Sequence, residues 1–133
     1  MKILYESHED LSRHNIPPMP EADKLRITPP GVDGPGITPE DLFAVGYAAC
    51  LEHSLKMVAQ HNEFPLQSLT VKAKGNVVEK QEGGYVLDID LDLTFTGSSQ
   101  EQAETMVTKA NELCPYSNAI CGNVDVRAHT SVH

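Results

Sequence analysis

The sequence has little positive charge. Its 133 residues include 10 Lys and Arg against 19 Asp and Glu, which gives a formal net charge of -9 at pH 7. An acidic surface repels the phosphate backbone of nucleic acids. We therefore expect no nucleic-acid partner.

Long apolar runs and a secretory signal are also missing. No apolar run approaches the roughly 20 residues that cross a bilayer, so we expect no membrane partner. The first five residues, MKILY, are followed by charged residues instead of the apolar stretch of a signal peptide. We therefore expect a cytoplasmic location. The length predicts a single domain over residues 1–133.

Cysteine is scarce as well, with only Cys50, Cys114 and Cys121. Three cysteines in a reducing compartment do not favour a framework of structural disulfides. Buried thiols, metal ligands and redox chemistry remain open. The choice among these three is the main functional question.

The stretch from residue 38 to residue 61 predicts one long helix. Thr38 stands at the N-cap, Pro39 at the first helical position and Asp41 at the position that completes a capping box. Residues 42–51 are apolar on every side, which is typical of a buried helix. Because the rod would be roughly 35 Å long, we expect a second subunit to cover part of it.

Period-two alternation predicts strands on both sides of a glycine pair, over 69–77 and 85–95. We interpret them as an antiparallel hairpin with one apolar face, packed on the long helix, and one acidic face. A last strand is predicted over 124–132, and two N-terminal strands over 2–7 and 24–28. Six prolines before the long helix, at positions 17 to 35, oppose regular structure around these strands.

A second helix is predicted to open within residues 98–102, which have capping-box spacing, and its apolar stripe reaches Leu113. Pro115 ends this predicted helix and leaves Cys114 at its exit. The order is therefore β-β-α-β-β-α-β. This predicts an α+β fold in which an antiparallel sheet, with little parallel pairing, wraps a long buried central helix.

Cys50 is the first candidate for chemistry. A lone cysteine in an apolar helix is usually a small buried hydrophobe, and burial raises a thiol pKa unless a cation or donor offsets it. Lowering the pKa from ~8.5 to about 6 takes roughly 3 kcal/mol of preferential thiolate stabilisation. An arginine is the expected source, and the chain has three, Arg13, Arg26 and Arg127.

The other two cysteines and a histidine leave alternatives open. Cys114 is either a structural thiol at a turn or a resolving partner for a sulfenic acid on Cys50. His53 follows Cys50 by three residues, so these two with Cys114 or Cys121 could bind zinc, whereas a surface histidine is the simpler interpretation. Cys121 is interpreted as a packed small residue.

Glu40 raises a question of distance. It precedes Cys50 by ten residues, roughly 15 Å along a straight helix, so the two cannot touch within that rod. A shared site would need a break in the helix or a Glu40 from a second subunit. A first-turn acid that favours the helix dipole is the alternative.

Two stretches resemble the signature motifs of one family. TPEDLFAVGYAAC, from Thr38 to Cys50, and CPYSNAICGNVDV, from Cys114 to Val126, are similar to those of the OsmC/Ohr family, the osmotically inducible and organic-hydroperoxide-resistance proteins. The run from Tyr5 to His8 looks like the opening strand of that family. The resemblance covers most of the chain and is weakest between His8 and Lys24.

The resemblance implies an intertwined homodimer of thiol peroxidases. The peroxidatic cysteine of the family falls on Cys50, the resolving cysteine on Cys114 and the glutamate of the motif on Glu40. No metal and no organic cofactor is implied. The family's arginine sits in a glycine-rich turn, whereas residues 10–15 here contain no glycine, so Arg13 is the candidate by position and Arg26 the second.

The sequence therefore predicts a cysteine-based peroxidase that reduces alkyl or fatty-acid hydroperoxides, with a dithiol such as dihydrolipoamide as the reductant. Substrate is expected to contact Phe43, Tyr47, Leu51 and His53. The main alternative is a non-peroxidase stress protein of the same family that binds a small apolar ligand. A metal-binding module that uses Cys50, His53 and Cys114 is the third interpretation.

Overall fold

The structure is a computed structural model and describes Lys2 and residues 38–133. Apart from Lys2, the predicted N-terminal strands at 2–7 and 24–28 lie outside the described residues, as do Arg13 and Arg26. The single domain over 1–133 stays a prediction. The helices and strands of the described part lie between Pro39 and Val132.

The long helix α1 is Pro39–His61. The Thr38 hydroxyl accepts from the Asp41 N–H, and the Asp41 carboxylate accepts from the Thr38 N–H, each at 3.0 Å. These bonds satisfy backbone donors that a helix start leaves open, and Pro39 has no such donor. The predicted helix and its capping box are confirmed.

Burial around α1 is one-sided. Within the one chain described, Val45 is 66% and Met57 is 51% exposed, so a helix buried on every side with the help of a second subunit stays a prediction. A single sheet and one helical layer cover only part of such a rod. Seven of its residues are buried, namely Ala44, Tyr47, Leu51, Ser54, Leu55, Val58 and Ala59.

The hairpin consists of β1 (Ser68–Glu79) and β2 (Tyr85–Thr96), which pair antiparallel along their full length. The two-faced pattern is confirmed in the second half of β2. Ile89, Leu91, Leu93 and Phe95 are at most 3% exposed and form the core with α1, whereas the aspartates between them face outward.

The last strand, β3 (Asp125–Val132), pairs with β2 in parallel, so the sheet order is β1-β2-β3 and the sheet is mixed. The prediction of an antiparallel sheet with little parallel pairing is wrong for this strand. A parallel partner needs a long crossover. Two helices provide it, α2 (Gln100–Leu113) and α3 (Pro115–Ile120).

Helix α2 begins as predicted, with a capping box between Ser99 and Gln102. The helix ends at Leu113, as predicted, but Pro115 starts a new helix instead of only ending the old one. Cys114 is at once the C-cap of α2 and the N-cap of α3. Proline is common at the first helical position because its missing N–H would have no partner there.

None of the helices in the described part of the chain is long and apolar enough to cross a membrane. The cytoplasmic location stays a prediction.

Helix α1 ends with a glutamate in the left-handed region. Glu63 has φ 55°, its N–H bonds the Gln60 carbonyl at 3.3 Å, and the Phe64 N–H bonds the Ala59 carbonyl at 2.9 Å. This pair of bonds is the Schellman arrangement, in which glycine is the usual residue at this position. A side chain there carries a steric cost.

We expect Glu63→Gly to raise the free energy of unfolding by about 0.5–1 kcal/mol. The relief of the left-handed strain, about 1–2 kcal/mol, exceeds the entropic cost of a glycine. Urea denaturation measures the change. Glu63→Ala is the matched control, because it keeps the Cβ and should bring no gain. Equal stabilisation by both substitutions would contradict this explanation.

The outer face of the sheet carries an ion cluster that ties β3 to β2. The Arg127 guanidinium donates to Asp88 in a bidentate manner at 2.6 Å and to Asp90 at 2.7 Å. Asn76 on β1 donates to the same two carboxylates at 3.3 and 2.9 Å. The hydrogen bonds from Arg127, with those from Asn76, hold the pKa of both aspartates below the usual value.

Acid should weaken this cluster. Since the aspartate pKa values are lower in the folded protein, their contribution is complete above the unfolded value of about 3.9 and is lost as pH falls through the folded values. We expect Arg127→Gln to lower the unfolding midpoint at about pH 7 and to have a much smaller effect at about pH 2. Urea denaturation at both pH values, with Lys80→Gln as control, measures this. An equal loss at both would contradict it.

Candidate active site

Two thiols from distant parts of the chain meet beside α1. The sulfurs of Cys50 and Cys114 lie 3.3 Å apart, within hydrogen-bond distance. Cys114 is 0% exposed and Cys50 is half-buried. Both are free thiols. A disulfide bond is about 2.05 Å long, so a small shift of either side chain would join them.

The junction of α2 and α3 brings Cys114 to this place. The Cys114 N–H completes α2 through the Ala110 carbonyl at 2.8 Å, and the Cys114 carbonyl accepts from Asn118 of α3 at 3.0 Å. On α1, Gly46 makes room for Tyr116. A Cβ at Gly46 would lie 3.3 Å from the Tyr116 hydroxyl oxygen. The absence of a side chain at Gly46 therefore lets α3 pack closely on the helix that carries Cys50.

A hydrogen-bonded chain of three side chains lies next to the thiols. The Tyr47 hydroxyl and the Ser117 Oγ are 3.0 Å apart, and Ser117 donates to Asn111 Oδ1 at 3.2 Å. Tyr47 is only 2% exposed. Burial raises the pKa of Tyr47 despite the Ser117 bond, which lowers it, so Tyr47 stays a neutral donor at physiological pH.

The sulfurs of Cys50 and Cys114 differ in the hydrogen-bond donors that surround them. Burial raises the pKa of Cys114, but hydrogen bonds from the Ser117 N–H, the Ser117 hydroxyl, Cys50 and the Tyr116 N–H outweigh burial, and the net pKa is lowered. Burial raises the pKa of Cys50, and the bond to Cys114 raises it further against one backbone donor, Tyr116. Among the described residues, the donors therefore favour a thiolate on Cys114 and a thiol on Cys50.

Glu40 lies in the first turn of α1, away from Cys50. The helix is continuous from Pro39 to His61, so ten residues separate the two by roughly 15 Å. The turn packs closely on β1, where a Cβ at Gly75 would be 3.1 Å from the Glu40 carbonyl oxygen. Within the described residues, Glu40 Oε2 is buried and has no hydrogen-bond partner.

Of the three arginines, only Arg127 is described. Its guanidinium is bound to Asp88 and Asp90, and the hydrogen bonds that it donates to these carboxylates raise its pKa. The aspartates alternate along β2 with the buried residues that pack on α1, so Arg127 lies on the opposite face of the sheet from the thiols. Arg127 is not placed to stabilise a thiolate on Cys50. Arg13 and Arg26 lie outside the described residues.

The zinc alternative is not supported by the geometry. His53 is exposed, and no hydrogen bond within the described residues joins it to Cys50. No group of three His, Cys, Asp or Glu side chains in the described part of the chain could hold a metal ion. Cys50, His53 and Cys114 therefore do not form the trio that the zinc interpretation requires. Cys121 is exposed, not packed, which corrects that prediction.

The other predicted substrate contacts lie at different depths. Phe43 is half-buried. Its ring centroid is 6.2 Å from that of Tyr47 and 6.1 Å from that of Tyr116, so the three aromatic rings pack together next to the thiols. Leu51 is fully buried in the core. Tyr47 and Leu51 line an apolar cavity of about 300 Å³, with Ser117 and Cys121 among its other lining residues, but neither Cys50 nor Cys114 lines it.

A larger, open cavity of about 900 Å³ lies elsewhere, between the C-terminal ends of α1 and α2. Met57, His61, Lys109 and Leu113 are among its lining residues. No cysteine lines it. The larger cavity and the thiol pair are therefore separate features.

Sequence reasoning missed three residues of the site, Asn111, Tyr116 and Ser117. The signal that could have found them is Pro115, whose preference for the first helical position predicts a helix that starts at Cys114. A helix from that point places Tyr116 and Ser117 beside the sulfur. Nothing in the sequence indicates that Asn111, in the last turn of α2, reaches Ser117.

Comparison with known proteins places the chain in a family. The family model described as OsmC-like protein matches residues 31–129. The organic hydroperoxide resistance protein of Xanthomonas axonopodis pv. citri is 32% identical over 132 residues, which cover 94% of this chain and 93% of that protein. The organic hydroperoxide resistance protein OhrA of Bacillus subtilis is 33% identical over 111 residues, which cover 84% of this chain and 73% of that protein.

Solved structures similar to this chain are of proteins with the same name. A crystal structure of an organic hydroperoxide resistance protein from Elizabethkingia anophelis, with thiocyanate bound, aligns with a TM-score of 0.74 and 34% identity, over 78% of this chain and 74% of that chain. One from Legionella pneumophila aligns with a TM-score of 0.70 and 42% identity, over 77% and 73%. The predicted family is confirmed: the chain belongs to the OsmC/Ohr family.

Proposed function

We propose that the protein is a thiol-dependent peroxidase that reduces organic hydroperoxides to alcohols. The observation that carries the proposal is the pair of free thiols at 3.3 Å, one of them half-buried and the other enclosed. The names of the relatives, organic hydroperoxide resistance proteins, support the same substrate class.

In the proposed cycle the Cys50 thiolate attacks the distal oxygen of the hydroperoxide. The O–O bond breaks, an alcohol leaves with a proton, and Cys50 becomes a sulfenic acid. Cys114 then attacks the Cys50 sulfur, which forms the disulfide and releases water. A dithiol such as dihydrolipoamide restores both thiols by exchange and is itself oxidised to its disulfide.

Accessibility supports Cys50 as the thiol that meets the peroxide. Cys114 is 0% exposed, whereas Cys50 is half-buried, so an incoming hydroperoxide reaches Cys50 first. The described donors, however, favour negative charge on Cys114. A cation beside Cys50 would reverse this preference, because an opposite charge within about 4–6 Å favours the ionised form by 1–3 pKa units.

We assign that cation to Arg13, with Arg26 as the second candidate. Arg127 is bound to aspartates on the far face of the sheet. Glu40 would bind and orient the arginine, and its buried oxygen without a partner in the described residues supports this role. A buried carboxylate oxygen costs free energy unless it receives a donor.

A homodimer is part of the proposal. Glu40 lies roughly 15 Å from Cys50 along one continuous helix, so one site can use both only if they come from different subunits. The exposed side of α1, with Val45 66% and Met57 51% exposed, offers an apolar surface for the second copy. Phe43 and Tyr116, which are not fully buried, would then border the site with aromatic surface suited to an alkyl tail.

One observation favours the alternative, a non-peroxidase family member that binds a small apolar ligand. Burial raises the pKa of Cys50, and a protonated thiol is a poor nucleophile. The cavity of about 300 Å³ beside Tyr47 would hold such a ligand. Turnover measurements distinguish the two functions.

We expect the wild type to turn over cumene or tert-butyl hydroperoxide faster than hydrogen peroxide, with dihydrolipoamide as reductant. Cys50→Ser should reduce turnover to the uncatalysed level because it removes the attacking sulfur. The matched control is Cys121→Ser, which changes an exposed cysteine away from the pair and should keep wild-type turnover. No turnover by the wild type, with slow reaction of Cys50, would favour the ligand-binding alternative.

Mixing two inactive variants tests the shared site. We expect Glu40→Gln and Cys50→Ser each to be weakly active or inactive alone. After subunit exchange, half of the dimers are mixed and each holds one complete site, so about a quarter of wild-type turnover should return. Turnover that stays at the sum of the two variants would exclude a site built from Glu40 of one subunit and Cys50 of the other. A mixture of Cys50→Ser with Cys114→Ser is the control, since its mixed dimers contain no site with both thiols.

A further inference from the structure

The cavity of about 300 Å³ beside Tyr47 lies where the helices leave part of the sheet uncovered. Leu91 of β2 pairs with Ala128 of β3, so both side chains lie on the inner face of the sheet, as does Val126 two residues before Ala128. Leu91 is 3% exposed, whereas Ala128 is exposed and Val126 is 36% exposed. The described part of the chain therefore leaves space over the inner face of β3.

The described side chains that line this cavity carry no charge. Most of them are apolar, and the exceptions are the hydroxyls of Tyr47 and Ser117, the amides of Asn111 and Asn118, and the thiol of Cys121. An ionised group is costly to bury without a partner of opposite charge. The lining therefore favours an uncharged ligand with an apolar body and a polar group at one end.

The polar residues of the lining can bond to a hydroxyl group in both senses. Ser117 gives its single proton to Asn111 Oδ1 at 3.2 Å, so the Tyr47 hydroxyl, 3.0 Å from the serine oxygen, is the donor of that second bond. The Tyr47 oxygen keeps a lone pair. Within the described residues no hydrogen bond uses Asn111 Nδ2, which is a donor. A hydroxyl both donates and accepts, so an alcohol complements this pair of groups.

The size of the cavity limits the ligand. An apolar cavity of about 150 Å³ binds benzene, and ligand pockets begin at roughly 300 Å³. A cavity of about 300 Å³ has room for a phenyl ring with a short branched chain. It is too small for a long fatty-acid chain to enter completely.

We propose that this cavity is a binding site for a small uncharged alcohol, with the apolar body over the inner face of β3 and the hydroxyl toward Tyr47 and Asn111. The site is distinct from the thiol pair, because neither Cys50 nor Cys114 lines it. The proposal does not depend on the peroxidase function. A suitable probe is 2-phenyl-2-propanol, the alcohol that reduction of cumene hydroperoxide would release.

Calorimetric titration of the full, reduced chain tests the proposal without any peroxide. We expect 2-phenyl-2-propanol to bind, and phenylacetate, which carries a charge, to show no binding. Tyr47→Phe removes the hydroxyl and keeps the ring. It should weaken binding of the alcohol by roughly three- to tenfold and leave binding of cumene, which has no hydroxyl, unchanged.

Cys121 reports whether the alcohol occupies this cavity. It lines the cavity and is an exposed free thiol. Saturation with 2-phenyl-2-propanol should slow alkylation of Cys121 by iodoacetamide several-fold and leave the alkylation rate of Cys50 unchanged, as measured by mass spectrometry of the two peptides.

A substitution that fills the cavity provides the second test. Ala128→Leu adds apolar volume at an exposed lining position and should abolish both the binding and the protection of Cys121. The matched control is Ala119→Leu, the same change at an exposed position of α3 outside the lining, which should bind the alcohol like the wild type.

Three outcomes would overturn the proposal. One is binding that survives Ala128→Leu, and another is protection of Cys50 instead of Cys121, which would mean that the alcohol lies at the thiol pair. The third is no binding by the wild type. A urea midpoint lowered by Ala128→Leu but not by Ala119→Leu would then indicate that another part of the chain or a second copy fills the cavity. The peroxidase function is tested by turnover alone, so either proposal can fail without the other.

Discussion

The contact between Cys50 and Cys114 depends on a sharp change of direction in the chain. Cys114 ends α2 and starts α3 at the same residue, and Pro115 allows the new helix to begin there. Helix α3 can lie against α1 because Gly46 leaves room for the Tyr116 ring. The buried side of α1 packs on the apolar face of the sheet, and this packing positions the helix that carries Cys50.

The sheet separates two electrostatic environments. Its outer face holds Arg127 with Asp88 and Asp90, where charges of both signs satisfy each other near water. Its inner face packs on α1 in one core, which includes Cys114 and contacts Cys50, and the donors around these thiols are neutral. This separation explains why Arg127 is not available to the thiols.

Most of the predicted helices and strands follow from local sequence patterns. The capping box of α1 and the alternation of β2 are set by neighbouring residues, so both could be predicted from the sequence. The parallel pairing of β3 and the contact of Asn111 with Ser117 join distant segments, and no local pattern specifies them. For the site, the motifs predicted the two cysteines by family resemblance, whereas their separation of 3.3 Å depends on the packing of α3 on α1.

When one of two sulfurs in hydrogen-bond contact is ionised, the negative charge favours the sulfur with more hydrogen-bond donors. The described donors gather around Cys114, which suits a resolving thiol that must attack without reaching solvent. A peroxidase needs the charge on Cys50 first. In the proposed cycle an arginine beside Cys50 would therefore favour that thiolate before the peroxide is consumed, and the donors around Cys114 would act afterwards, when Cys50 is a sulfenic acid. Which sulfur is ionised at each step would then depend on the hydrogen-bond donors and charges around it.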